Sequence, residues 1–412
     1  MWVGARTLAR MRSVELFAGA GGLALGCAKA GFEPAVTVEW DKWACDTIRE
    51  NKAAGHELVA DWRVHEGDVR KVDWTGVDDV TLVAGGPPCQ PFSMGGKSRA
   101  SDDHRDMFPA TAEVVARLRP KAFLIENVRG LTRSTFANYY SYVQLRLAHP
   151  ENVRREDESW FEHLQRLQGD HTTGSGDTGL RYNVVPTVVN AADYGVPQQR
   201  WRVFLVGFRS DLDAEYAFPD STHSYDALLH DQWVTGVYWD RHKVAVKDRP
   251  ACPVRSKTRI GALRDIERSA LPDAWVTVRD ALADLPEPTV KGTRGILNHV
   301  LQPGARSYEG HTGSPVDLPA KALKAGDHGV PGGENMLRRV DGSVRYFTVR
   351  ECARVQTFPD DYELHGSWTE AMRQLGNAVP VKLAQIVAKS VHDHLLVAEA
   401  RAHTSAEVPS VR

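Results

Sequence analysis

Between Ser13 and Phe208, short β-branched apolar runs alternate with stretches of helical periodicity. This is the pattern left by βαβ units that build a parallel sheet. The runs Val14–Phe17, Ala35–Val38, Val80–Ala84, Ala122–Glu126, Val184–Val189 and Val203–Phe208 predict six strands. Between them the spacing predicts helices over Leu23–Ala30, closed by Gly31, over Asp41–Asn51, and over Met107–Leu118, which stops before Pro120. The expected fold class is α/β with a Rossmann-like topology, so ligands belong in the loops at the carboxyl ends of the strands.

Residues 132–180 interrupt the alternation with a charged, helical stretch (Glu156–Gln168) and then GDHTTGSGDTG at 169–179, which reads as a surface loop. After Arg209 the pattern dissolves into a segment rich in Pro, Trp and basic residues, running to about Tyr346. Helical spacing returns over Thr348–Gln356 and Leu383–Leu396, on either side of a turn-like GNAVP at 376–380. No internal repeat is visible.

With 42% apolar and 25% charged residues, 34 Gly and 22 Pro, the chain is an ordinary globular one, and fibrous or disordered classes are excluded. The longest charge-free run, Val80–Gly96, is broken by Gly85, Gly86, Pro87 and Pro88 and falls short of a membrane span. No apolar signal core separates the N-terminal arginines from the first strand, so a cytoplasmic location is expected. Five cysteines without a CxxC pair give neither a disulfide framework nor a zinc site, and no metal is expected. A net charge of −2 excludes a uniformly basic nucleic-acid coat. The positive charge is instead local: residues 241–264 hold eight Lys/Arg (241, 243, 247, 249, 255, 257, 259, 264) against the single acid Asp248. Such asymmetry suits a module facing a polyanion.

Six segments carry chemistry. VELFAGAGGLALG at 14–26 runs from a strand through Gly19, Gly21 and Gly22 into a helix, a turn that lets backbone approach a nucleotide-like ligand. The next strand ends in Glu39-Trp40, a carboxylate for ribose hydroxyls and an indole to stack on a purine; a dehydrogenase would place an acid there too. Asp68, in GDV at 67–69, stands ready to accept from an exocyclic amino group. GGPPCQPFS at 85–93 follows a buried strand and sets Cys89 in a proline-stiffened loop, where a thiolate makes a good carbon nucleophile. Glu126, in ENV at 126–128, lies where a buried carboxyl can share a proton with a heterocycle. In QQRWR at 198–202, strand alternation puts Gln198, Arg200 and Arg202 on one face, so that two guanidinium groups converge.

In this order FAGAGG, EW, GDV, PPCQPFS, ENV, QQRWR, RYFTVRECARVQTFPDDY (345–362) and QLGNAVP (374–380) resemble the motif series of the DNA (cytosine-5) methyltransferases of bacterial restriction–modification type. The PPCQ, ENV and QxRxR set separates these carbon methylators from amino methylators, which use an Asp-Pro-Pro-aromatic motif. The resemblance implies an S-adenosylmethionine-dependent methyltransferase fold with a second, smaller target-recognition domain, and S-adenosylhomocysteine as product. It implies a catalytic domain over 11–209 (with the insert 132–180), a target-recognition domain over 210–345, and a segment 346–412 that returns to the catalytic domain. The expected catalytic residues are Cys89, Glu126, Arg200 and Arg202, with Arg202 at the ring carbonyl and Arg200 holding phosphate or the Glu126 carboxylate. The cofactor pocket takes Phe17, Gly19, Gly21, Leu23, Glu39, Trp40, Asp68, Val69, Pro88, Asn377 and Val379. Gln198, Ser93 and Lys97 are expected at DNA. The partners implied are double-stranded DNA, with no membrane, a monomeric enzyme, and a restriction endonuclease acting on the same site. A tRNA cytosine-5 methyltransferase shares the fold and motifs, but the long variable segment argues for DNA. A nicotinamide-dependent dehydrogenase explains the glycine turn and Glu39 and has no use for Cys89 beside Glu126 and two arginines.

Overall fold

The computed structural model describes residues 10–88, 106–173, 179–326 and 335–407. Its centre is a seven-stranded sheet: β1 (Met11–Leu16), β2 (Phe32–Glu39), β3 (Val64–Glu66), β4 (Val80–Gly85), β5 (Ala122–Val128), β6 (Tyr182–Asn190) and β7 (Trp201–Arg209). The spatial order is β3-β2-β1-β4-β5-β7-β6. β1 to β5 are parallel, whereas β7 runs antiparallel to both β5 and β6. The sheet is therefore mixed, a correction to the parallel sheet expected from alternation. Period-two burial cannot reveal strand direction, but the connection 191–200 holds only one 3-10 turn and is too short for a helical crossover.

Alternating side chains of the strands feed two cores. On one face Val14, Leu16, Val83, Phe123, Ile125, Val203 and Leu205 pack under α3 (Phe108–Leu118), α4 (Ala137–Ala148) and α5 (Trp160–Thr173). On the other, Leu82, Leu124, Phe204 and Val206 pack under α1 (Gly22–Lys29) and the long C-terminal helix, Val381–Glu407. The two helices of that face approach closely. A Cβ on Gly22 would strike the Val379 carbonyl oxygen, and one on Gly26 would strike Ala384. The stretch 132–180 is thus no interruption, since Tyr142, Leu147, Leu164 and Leu167 belong to the first core. The expected loop 169–179 is helical to Thr173, and 174–178 lie outside the described residues.

Beyond β7 the elements are short: α6 (Tyr225–Trp233), α7 (Val237–Arg241), α8 (Lys257–Leu263) and α9 (Val278–Leu282). They close over small clusters, Leu228 with Tyr238 and Trp239, and Leu229 with Ile260 and Leu263. Polar contacts supplement them. Tyr238 donates to Asp317 at 2.9 Å, and Arg279 holds the same carboxylate at 2.6 Å. The chain then returns through α10 (Val349–Val355), α11 (Trp368–Asn377) and the C-terminal helix, α12. Thr348 opens α10 with a capping box to Glu351, and Ser367 caps α11. These helices share a core with Leu25 of α1 and Ile48 of α2 (Lys42–Ala53).

Candidate active site

The carboxyl ends of β1, β2, β4 and β5 open onto one edge of the sheet, where Phe17, Gly19, Glu39, Trp40 and Glu126 lie. After β1 the chain turns sharply, with positive φ at Phe17, Gly19 and Gly21. Positive φ is strained for Phe17, as expected where a turn must serve a ligand. The carboxylate of Glu39 closes this turn by accepting from Gly19 N at 2.7 Å and from Trp40 N and Asp41 N at 2.8 Å. Burial pushes the Glu39 pKa up, while the three amide donors act against it. These amides occupy three of the roughly four lone-pair positions of a carboxylate, so any ribose hydroxyl must share it with them. A Cβ on Gly19 would meet nothing within 4 Å, so the turn is an open cradle. Trp40 stands beside it, 68% exposed, with its indole largely open.

Asp68 follows β3. Its bidentate pairing with Arg70, at 2.6 to 3.1 Å, holds its pKa down at about 2. It stays an acceptor at any physiological pH. Leu23 and Val379 are buried in one core and Val69 in the other, Pro88 is partly buried at the end of the loop from β4, and Asn377 is exposed at the end of α11. Cys89, Ser93 and Lys97 lie outside the described residues.

On β5, Glu126 is 7% exposed, and its Oε1 lies 2.5 Å from Nε of Arg202 on the neighbouring antiparallel strand. The two come together because Val128 pairs with Arg202 and Glu126 with Phe204, putting both side chains on one face. Burial raises the Glu126 pKa; the charges of Arg202 and Arg200 oppose the rise. Oε1 is buried against Arg202, so the carboxyl is held chiefly by that cation. Gly86 lies against it, with Glu126 Oε2 3.1 Å from where a Cβ would stand.

Two expectations need correction. Gln198 is fully buried, donating to Gln356 at 3.0 Å and accepting from Leu323 N at 3.1 Å, so it has no free group to offer DNA. Arg200 is 2% exposed and donates to the carbonyls of Leu323 at 3.0 Å and Gly376 at 2.6 Å, instead of holding phosphate or the Glu126 carboxylate. Of the three only Arg202 lies on β7 and reaches the open edge, while Gln198 pairs with Ala320 in a separate short sheet. The other two stitch β7 to the chain around 323 and 376, where a Cβ on Gly376 would strike the Ala325 backbone.

Asn127 escaped the sequence reading. Its Nδ2 donates to the Pro87 carbonyl at 3.0 Å, and its Oδ1 accepts from Val128 N, so β5 clamps the loop two residues before Cys89. The available signal was a buried-strand asparagine between two residues already singled out. Gln356 was also missed; it bridges Gln198 to the carbonyls of Leu375 and Ala378.

The C-5 cytosine-specific DNA methylase family matches residues 11–147 and 176–393. Type II methyltransferase M.Eco47II of Escherichia coli is 33% identical over 93% of this chain and 79% of its own. Type II methyltransferase M.NgoPII of Neisseria gonorrhoeae is 31% identical over 92% of this chain and 95% of its own. Among solved structures, an E. coli prophage protein described as a DNA modification methyltransferase has a similar fold, with a TM-score of 0.55 at 20% identity over 94% of this chain and 99% of its own. The Dnmt2 methyltransferase of S. pombe follows at 0.51 and 16% identity, with 94% and 99% covered.

Proposed function

The chain belongs to the C-5 cytosine-specific DNA methylase family and is a DNA (cytosine-5)-methyltransferase; from that premise we propose that it uses S-adenosylmethionine to modify one cytosine of a specific duplex sequence, as the methyltransferase of a type II restriction–modification system. The single observation that carries this reading is the buried Glu126 paired with Arg202 at the sheet edge, one strand from the loop that leads to Cys89.

The edge around the glycine turn fits the donor. Trp40 offers a free stacking face, Glu39 and the fixed acid Asp68 offer acceptors for hydroxyl and amino groups, and the cradle at Gly19 is open. When bound, S-adenosylmethionine supplies an electrophilic methyl group.

The reactive carbons of cytosine are inaccessible within the base stack, so the base must be extruded at a cost of a few kcal/mol, and carbon-5 is too weak a nucleophile to take that methyl unaided. The Cys89 thiolate then adds to carbon-6, and the electron pair of the 5,6 double bond is delocalised toward carbon-5 and nitrogen-3. Glu126, biased by burial toward its protonated form, donates at nitrogen-3 and relieves the developing charge. Arg202 fixes the Glu126 carboxyl and offers its N–H groups to the ring carbonyl. Asn127 keeps the loop carrying Cys89 in reach through Pro87. After methyl transfer, loss of the carbon-5 proton restores the double bond as the thiolate leaves.

Among the described residues no helix is long and apolar enough to cross a membrane. We place the enzyme in the cytoplasm, acting as a monomer on DNA that a restriction endonuclease would cut at the same site. The test is to expose plasmid DNA to the enzyme with S-adenosylmethionine and sequence after bisulfite conversion. Protection of one cytosine in a recurring short sequence is expected; full conversion of the plasmid, or protection of tRNA alone, would contradict the reading.

A further inference from the structure

β7 carries an unusual residue at its start. From Val203 to Phe208 every side chain of this strand is buried, yet Trp201 is 43% exposed. Because β7 runs antiparallel to β5, its beginning lies at the end of β5, on the edge where Glu126 stands. Arg202 points to Glu126, and alternation turns Trp201 to the opposite face; the Arg202 guanidinium also donates to the Trp201 carbonyl at 2.8 Å. The indole thus sits one residue from the carboxylate pair that defines the target pocket.

Above the ring lies Arg129, the first residue after β5, with its guanidinium carbon 4.7 Å from the ring centroid. The backbone there is fixed, since Thr132 donates its hydroxyl to the Arg129 carbonyl at 3.0 Å within the turn Arg129–Thr132. Arg129 is exposed and forms no ion pair among the described residues, unlike Arg241, Arg249 and Arg259, whose charges are met by Asp280, Asp240 and Asp226. A guanidinium stacked flat on an indole loses little further freedom when it binds, and its N–H edge remains open to a planar or tetrahedral anion.

We propose that Arg129, held in place by Trp201, is a phosphate clamp that grips the DNA backbone beside the extruded cytosine. Resting on the DNA-methylating reading above, this assigns Arg129 a backbone contact and Trp201 the role of a positioning residue. The occupant is a phosphate diester, because the site presents a single oriented cation on an exposed aromatic face at the rim of the base pocket. Its service is sequence-independent, unlike the reading of base edges.

Fluorescence anisotropy of a labelled mixed-sequence duplex, measured over a salt series, tests the clamp without requiring turnover. Arg129→Gln should lower the slope of log affinity against log salt by about 1, the loss of one phosphate contact. Trp201→Ala should weaken binding about two- to fivefold, the range of one exposed cation–π contact, while Trp201→Phe should recover most of it. Both residues are exposed, and unchanged melting curves would show that the variants fold. If the wild-type affinity falls with salt and Arg129→Gln has the same slope, the clamp is overturned. If Arg129→Gln acts and Trp201→Ala does not, the positioning role of the indole is overturned. Wild-type binding that is indifferent to salt would instead count against the DNA-methylating reading itself.

Discussion

Along β1, β4 and β5 almost every side chain is buried, and the catalytic edge inherits its geometry from two large cores, whereas between Asp220 and Gly313 the chain winds through short helices over clusters of a few apolar residues. Charges follow the same division. At the sheet edge the acid Glu126 and the base Arg202 face each other under cover, with side chains only 9% and 12% exposed. Between Asp220 and Gly313 most cations are exposed, and Lys243, Lys247, Arg255, Lys257 and Arg264 have no ion-pair partner among the described residues. Buried charge in fixed geometry suits chemistry that must repeat identically on one base; exposed charge on small cores suits a surface that can vary its sequence without disturbing the sheet. On this comparison we propose that the first region carries the reaction and the second reads the target.

Four substitutions test that assignment, in falling order of effect. Cys89→Ser should abolish turnover and covalent trapping of a duplex containing 5-fluorocytosine while duplex affinity is kept; trapping that survives would remove the nucleophile from this loop. Glu126→Gln should reduce kcat by about 10²–10⁴-fold, the usual worth of a positioned acid or base. Because burial raises the Glu126 pKa and the protonated carboxyl is the useful form, wild-type activity should fall as pH rises through that raised value. The Gln variant should lack this limb in its pH–rate profile, and its persistence would assign the titration elsewhere.

The third concerns the sheet itself. Glu15 of β1 is 1% exposed, accepts from the Ser13 hydroxyl at 2.9 Å, and burial raises its pKa to about 7. A carboxyl that binds its proton more tightly folded than unfolded contributes stability below its ordinary pKa and loses it as pH rises through about 7. The loss is of order 3 kcal/mol. Glu15→Gln should therefore flatten the fall in Tm between pH 5 and 8, and an unchanged slope would mean that Glu15 is not the group responsible. The smallest effect is expected in the second region: Lys247→Gln should lower the salt slope of DNA binding by about 1 and leave site preference unaltered. A changed site preference would make Lys247 a reader of bases.

The strands were legible because burial imposes alternation, and the six runs named from the sequence recur with ends displaced by at most three residues. β3, with only Val64, His65 and Glu66, carries no such pattern, and α4 was hidden because its buried face mixes Tyr139 and Tyr142 with Val143 and Leu147 and includes the charged Arg146. At the site, Glu39, Trp40 and Glu126 were legible from their place at strand ends. Gln198 and Arg200 misled because alternation tells which face a side chain takes and not what covers that face. Their partners, Leu323, Gln356 and Gly376, come from chain more than a hundred residues away. Asn127 depends on the pairing of β4 with β5, and the Arg129–Trp201 pair on the β5–β7 register, neither of which any local pattern contains.

The division between reaction and reading is tested most directly by exchange. Segment 210–345 would be replaced by the corresponding segment of a relative with a different, known recognition sequence, and plasmid methylation mapped by bisulfite sequencing. An active chimera that methylates the relative's sequence is the predicted result. An active chimera that still methylates the original sequence would contradict the assignment and move target reading into the sheet domain.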